Sequence, residues 1–275
     1  MIPELRRRQP PITPGGRLIT AVVLTWMGLL VGVPVIAIMG RAIASGPASL
    51  LTALLSRPAV DALGRTVAVV AIVVVLNGVF GIAAGLVLAR HRFRGKWILD
   101  ALVDLPLAVS PIMVGLGYLL VVGRGGILDP ILRPLDIHIA FAFGGLVLAT
   151  AFVTLPYVVR EVTLVLEEIG TEEDEAAATL GASPWATFIR VTLPSLRHAL
   201  TCGLALTVAR SLGEFGAVLV LGGAIAGRTH TATTFVYSAM EERHDAGVFG
   251  MAMTLAVCSL GMLAILELTR SRKEL

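Results

Sequence analysis

Charge is scarce in this sequence. Asp, Glu, Lys and Arg supply 15% of 275 residues, while 56% are hydrophobic. An ordinary soluble domain carries about 25% charged residues, so this composition excludes a water-soluble globule. The net charge of +3 is too small for a nucleic-acid footprint, and no nucleic-acid partner is expected. Cysteine is nearly absent. Cys202 and Cys258 both fall in apolar segments, which excludes a secreted disulfide framework and a cysteine metal site. Both thiols are expected to be buried as small hydrophobes. No G-x-x-x-x-G-K-[ST] loop exists, because Gly95-Lys96 lacks the earlier glycine and the following hydroxyl. ATP hydrolysis by that route is excluded. The five histidines, at 91, 138, 198, 230 and 244, lie in loops or at the ends of apolar runs. None is placed to activate a serine within a membrane. No catalytic residue, metal ligand or cofactor of the chain's own is expected, and no internal repeat is evident.

What the sequence has in abundance is long apolar runs, which predict an all-α polytopic membrane protein in contact with lipid. Six spans are expected, at about 18–40, 66–89, 101–122, 139–159, 196–222 and 246–268. The first run is followed by Ala42-Ile43-Ala44, which is like a signal-peptide cleavage site. The run is too long for a signal core, so an uncleaved span is expected. Gly78, Gly81 and Gly85 fall near one face of the second span, where another helix could approach closely. Pro106 and Pro111 should kink the third, which also carries Asp104 and Ser110. The fifth holds Arg210 and Glu214, the two charges furthest inside a span. At i and i+4 they share a helix face and can pair. An unpaired charge there costs about 2.5–3.5 kcal/mol on insertion scales, so a structural ion pair is one reading and a functional site within the membrane the other.

Lys and Arg are unevenly placed. Fourteen lie in the two tails, the 90–100 loop and the region around 160–197, and seven lie in the loops at 41–65, 123–138 and 223–245. The positive-inside rule then puts both termini in the cytoplasm and the second set of loops outside.

The longest polar interruption is Glu167 to Pro194. It predicts a helix–Gly–helix hook. Thr171 is expected as the N-cap of a first helix whose first turn is crowded by Glu172, Glu173, Asp174 and Glu175. Gly181 should take the left-handed conformation that stops this helix. Ser183 should cap a second helix with Pro184 at its first position, ending before Pro194.

The hook carries a family resemblance. Glu175-Ala176-Ala177, Gly181 and Val191-Thr192-Leu193-Pro194 resemble the cytoplasmic "EAA" loop of ABC-type importer permeases, with Val191 where the family has Ile. Asp104-Leu105-Pro106-Leu107-Ala108-Val109-Ser110-Pro111, Val158-Val159-Arg160-Glu161-Val162 and Ala209-Arg210-Ser211-Leu212-Gly213-Glu214-Phe215-Gly216-Ala217 resemble segments of sulfate/thiosulfate permeases, and the last is shared with molybdate permeases. The resemblance covers about residues 60–268 and is strongest to the W-type sulfate/thiosulfate subunit. It implies a type I ABC importer permease fold in the bacterial cytoplasmic membrane. Residues 1–17 and 269–275 would be basic tails, 18–59 a first span with its outer loop, and 60–268 the permease core. The resemblance further implies a heterodimer with a T-type permease, two ABC ATPase subunits that bind ATP and Mg, and an extracytoplasmic sulfate-binding protein. Glu175, Ala176, Ala177, Gly181, Leu193 and Pro194 would then couple to the ATPase, while Arg210, Glu214, Ser110 and Asp104 are candidates for the path or for a buried pair. A molybdate or tungstate permease is the alternative substrate reading, and a stand-alone secondary anion transporter the alternative class.

Overall fold

The structure, a computed structural model, describes residues 14–271. Residues 1–13 of the expected basic N-terminal tail and residues 272–275 of the C-terminal one lie outside the described residues. Every regular element within them is helical. α1 (Pro14–Met27), a π turn (Gly28–Gly32) and α2 (Val33–Ala44) form one long run, of which Gly15–Ala44 is apolar enough to cross a membrane.

The stretch expected as a loop over 41–65 is instead helical: α3 is Pro47–Leu54, and α4, Arg57–Arg90, starts nine residues before the apolar run. Pro58 sits in the first turn of α4, where its missing N–H costs nothing. Ala59 and Ala62 are fully buried, while Asp61 and Arg65 pair across one turn on the outer side at 4.0 Å. This first part of α4 is amphipathic, so hydropathy alone passed over it.

The third span is more than kinked. α5 (Lys96–Ala108) and α6 (Pro111–Val122) meet at 117°. Pro106 stays inside α5, and the bend falls just before Pro111, whose ring drives Ser110 to an extended ψ of 135°. α7 (Asp129–Leu132) is a single turn. α8, Phe143–Ile169, begins later than expected and runs ten residues past 159, carrying Arg160, Glu161, Glu167 and Glu168 as helix beyond the apolar part. The hook follows as α9 (Glu172–Thr179), α10 (Pro184–Thr187), a π turn (Phe188–Thr192) and α11 (Leu193–Ser195). The fifth span is also broken: α12 (Arg197–Leu212) and α13 (Gly216–Gly222) lie at 60°. α14 (Ala232–Glu241) lies within the expected loop at 223–245, and α15 is Asp245–Ser271. Among the described residues, four helices are long and apolar enough to cross a membrane, and six spans result when each bent pair is one.

α8 is the central post. Two of the three glycines singled out on α4 face it: a Cβ on Gly81 would lie 2.6 Å from Val158 Cγ1, and one on Gly85 2.5 Å from Val162 Cγ1, while one on Gly78 would meet Leu204 of α12 at 3.6 Å. A Cβ on Gly203 of α12 would lie 2.9 Å from Cα of the same Val158. Helices in lipid gain little from hydrophobic burial, so small residues that allow dense contact decide which faces meet. Asn77 of α4 seals the seam, donating to Thr154 Oγ1 at 2.8 Å and to the Ala151 carbonyl at 3.1 Å on α8. Cys202 is buried as expected, but Cys258 is exposed on the outward face of α15. An apolar segment in a membrane can turn a thiol to lipid at no cost in lost hydration, so apolar context does not imply burial.

Candidate functional site

The hook is built by local chemistry. α9 ends with Gly181 at φ +86°, where its N–H donates to the Ala178 carbonyl and the Ala182 N–H to the Ala177 carbonyl, both at 3.0 Å. This two-bond arrangement is the expected left-handed stop. Ser183 caps α10 as predicted, its Oγ accepting from the Ala186 N–H at 3.3 Å. Thr171 does not cap α9. Its hydroxyl donates to Glu175 Oε1 at 2.7 Å, and its backbone is helical. A capping residue needs a non-helical backbone to aim its oxygen at the free N–H groups, and Thr171 lacks one, so its hydroxyl only donates, to the carboxylate one turn on. The helix expected to end before Pro194 does not. The π turn over Phe188–Thr192 precedes Pro194 and widens the helix, with the Leu193 N–H reaching back to the Phe188 carbonyl. A wider turn relieves the clash of a proline ring with the carbonyl four residues earlier. The same device precedes Pro34, after the π turn at Gly28–Gly32.

The structure brings Glu175, Ala176, Ala177 and Gly181 onto the outer part of this hook, with Pro194 exposed and Leu193 half-buried at its return. Sequence reasoning missed the apolar tip. Leu180 is 89% exposed and Trp185 69% exposed, the indole stacked on Phe188 at 5.7 Å. The available signal was two large apolar residues flanking Gly181-Ala182-Ser183-Pro184 inside an otherwise polar stretch.

A second cluster lies where the two broken spans meet. A Cβ on Gly216 would lie 3.0 Å from Ile112 Cγ1 and 3.2 Å from the Ile112 nitrogen, and one on Gly115 2.9 Å from the Ala217 carbonyl oxygen. The break at Ser110–Pro111 therefore abuts the break at Gly213–Phe215. Arg210 and Glu214 do pair, at 2.8 Å, though the contact lacks the alignment of a hydrogen bond. They are not equivalent. The Glu214 side chain is 1% exposed and the Arg210 side chain 32%. Glu214 also accepts the Ala217 N–H at the start of α13 (3.0 Å), and its carbonyl accepts the Thr233 hydroxyl of α14 (2.7 Å). Glu214 ties three helices, while the Arg210 side chain stays about a third exposed.

Asp104 belongs elsewhere. Arg160 of α8 holds it with two hydrogen bonds, Nε to Oδ1 at 2.8 Å and a second to Oδ2, and pairs with Asp100 at 2.8 Å. The triad bolts α5 to α8 and is separate from Arg210. At the other end of α4, Arg65 donates to the carbonyls of Gly227 (2.7 Å) and His230 (3.2 Å), which fixes the 225–231 loop. Burial pushes the His230 imidazole below its usual pKa.

A family model described as "Binding-protein-dependent transport system inner membrane component" matches residues 78–274. The chain is 42% identical over 249 residues to the sulfate transport system permease protein CysW of Synechococcus elongatus, covering 90% of this chain and 87% of that one. It is 39% identical over 256 residues to CysW of Escherichia coli K12, covering 91% and 88%. To the sulfate transport system permease protein CysT of the same organism it is 39% identical over 198 residues, covering 72% of each. Among solved structures, a bacterial alginate ABC transporter in complex with its oligosaccharide-bound periplasmic protein superposes with a TM-score of 0.73 at 15% identity, over 90% of this chain and 92% of that one. The MetNI methionine ABC transporter gives 0.56 at 18% identity, over 79% and 97%. Both share the fold.

Proposed function

The chain belongs to the family of binding-protein-dependent transport system inner membrane components, and we propose that it is the W-type permease of a sulfate/thiosulfate importer. It has the fold of an ABC importer permease. The observation that carries the substrate reading is the identity of about two residues in five to CysW proteins along nearly the whole chain. The shorter match to CysT favours a T-type relative as the other half of a heterodimer. Two ATPase subunits would supply ATP hydrolysis, and an extracytoplasmic sulfate-binding protein would deliver the anion. The hook would be the contact with the ATPase. Its Leu180 and Trp185 suit the role, since exposed large apolar groups on a polar loop mark a protein interface. The broken spans would line the path, with Arg210 adding positive potential for an oxyanion.

The test is reconstitution. Co-expressed with a T-type permease, the ATPase and the binding protein, the chain should give ATP-dependent uptake of radiolabelled sulfate. Excess unlabelled sulfate or thiosulfate should suppress it and molybdate should not. Suppression by molybdate alone would move the substrate to the other oxyanion class. Uptake by this chain without the ATPase would make it a stand-alone carrier.

The orientation, with both termini and the hook cytoplasmic, rests on the bias of Lys and Arg. In a background of Cys202→Ala and Cys258→Ala, single cysteines at the exposed positions Arg133 and Ala226 should react with an impermeant thiol reagent in intact cells. A cysteine at the exposed Thr179 of the hook should react only after lysis. The opposite pattern would invert the topology.

A further inference from the structure

α9 has no buried residue, so apolar packing does not hold it against the membrane helices. What fixes it is polar. Arg90, the last residue of α4, pairs through one guanidinium nitrogen with Asp174 Oδ2 at 3.0 Å and donates through another to the Gly170 carbonyl. Asp174 Oδ1 accepts the Thr192 hydroxyl of the returning π turn at 2.9 Å. The Arg90 side chain is 14% exposed and that of Asp174 27%. The end of α4, the start of the hook and its return therefore meet at one carboxylate. Of the four acids in the first turn of α9, Asp174 is the one turned inward. An exposed ion pair contributes little to stability, but here it is the cross-link between a short outlying helix and a 34-residue one. α4 in turn lies on α8 through Gly81 and Gly85 with no slack, so movement of its end is passed to the bundle.

We propose that Arg90 and Asp174, with Thr192, are positioning residues that transmit displacement of the hook to α4, and so couple nucleotide hydrolysis in the partner to anion movement. This rests on the reading of the hook as the ATPase contact. Arg90→Ala, Asp174→Ala, the double variant, Thr192→Val and Arg90→Lys are placed in the full complex in proteoliposomes. ATP hydrolysis, sulfate uptake and ATPase retention are measured together. The tip residues Leu180 and Trp185 are untouched, so ATPase retention and hydrolysis should persist. Uptake per ATP hydrolysed should fall about tenfold in each alanine single variant and no further in the double one. Arg90→Lys and Thr192→Val should lose less. Unchanged uptake per ATP in the alanine variants overturns the proposal, as does loss of assembly in every variant, which would make the contact structural only. A wild-type complex that retains no ATPase would instead defeat the underlying reading of the hook.

Discussion

Gly181→Val and Trp185→Ala should each abolish sulfate uptake while leaving the chain in the membrane at wild-type levels. Gly181 sits at φ +86° and a Cβ there meets open space, so the obstacle is the backbone conformation rather than a clash. Left-handed geometry costs an L-residue about 1–2 kcal/mol, and more for a β-branched one. The hook around it is an eight-residue helix and a four-residue helix, with little packing to enforce the strained state. Valine should therefore release the two-bond stop and swing α10 away from α9. Trp185 tests the tip differently, because its backbone is ordinary and its indole is mostly outside the fold. Truncating an interface tryptophan of this kind costs about 2 kcal/mol or more, which is about thirtyfold in affinity. The check is co-purification of the ATPase with each variant, alongside uptake. Wild-type uptake in either variant at equal membrane level would remove the hook from coupling. Neither variant touches a span, so loss of membrane insertion would also contradict the argument.

Arg210→Leu should prevent assembly, and Arg210→Leu combined with Glu214→Gln should restore assembly without restoring transport. In the single variant the Glu214 carboxylate stays buried with no cation, and breaking such a pair costs about 3–5 kcal/mol in protein interiors. Glutamine removes the stranded charge. Its amide oxygen can still accept the Ala217 N–H that opens α13. Glu214→Leu would lose that acceptor, so a double leucine variant should recover less. With the fold restored, the remaining difference is the positive charge at position 210. Radiolabelled sulfate uptake normalised to assembled complex should stay below about a tenth of wild type in the double variant, in line with a lost charge-assisted contact. Arg210→Lys should keep more uptake than either. Full uptake in the double variant would confine Arg210 to holding Glu214.

The legible features were those fixed within a few residues. Apolar runs of span length follow from the cost of exposing backbone to lipid, and they located the helices of the six expected spans, with ends up to ten residues off and two of the six broken. The left-handed glycine and the Ser183 cap depend on backbone energetics at single positions, and both stand where the hook's sequence put them. Arg210 and Glu214 pair as a spacing of four residues suggested, but not on one helix face: Glu214 lies past the end of α12, in the break before α13, and folds back onto the last turn. Even locally, backbone conformation was not legible: Thr171 is helical rather than extended, so its hydroxyl donates to Glu175 instead of capping.

Tertiary structure decided the rest. Asp104 faces Arg160 and not Arg210, and Arg90 faces Asp174, across separations of 56 and 84 residues. Which residues of two helices meet depends on how each is rotated about its axis. That rotation is set where α4 and α8 close to contact at Gly81–Val158 and Gly85–Val162. One sequence marks a stripe of glycines but carries nothing that says which stripe of which helix will face it. The bends of 117° and 60° have the same origin. Proline and glycine permit a break, but its angle is fixed by the other broken span packed against it, since Gly216 leaves room only for the backbone at Ile112.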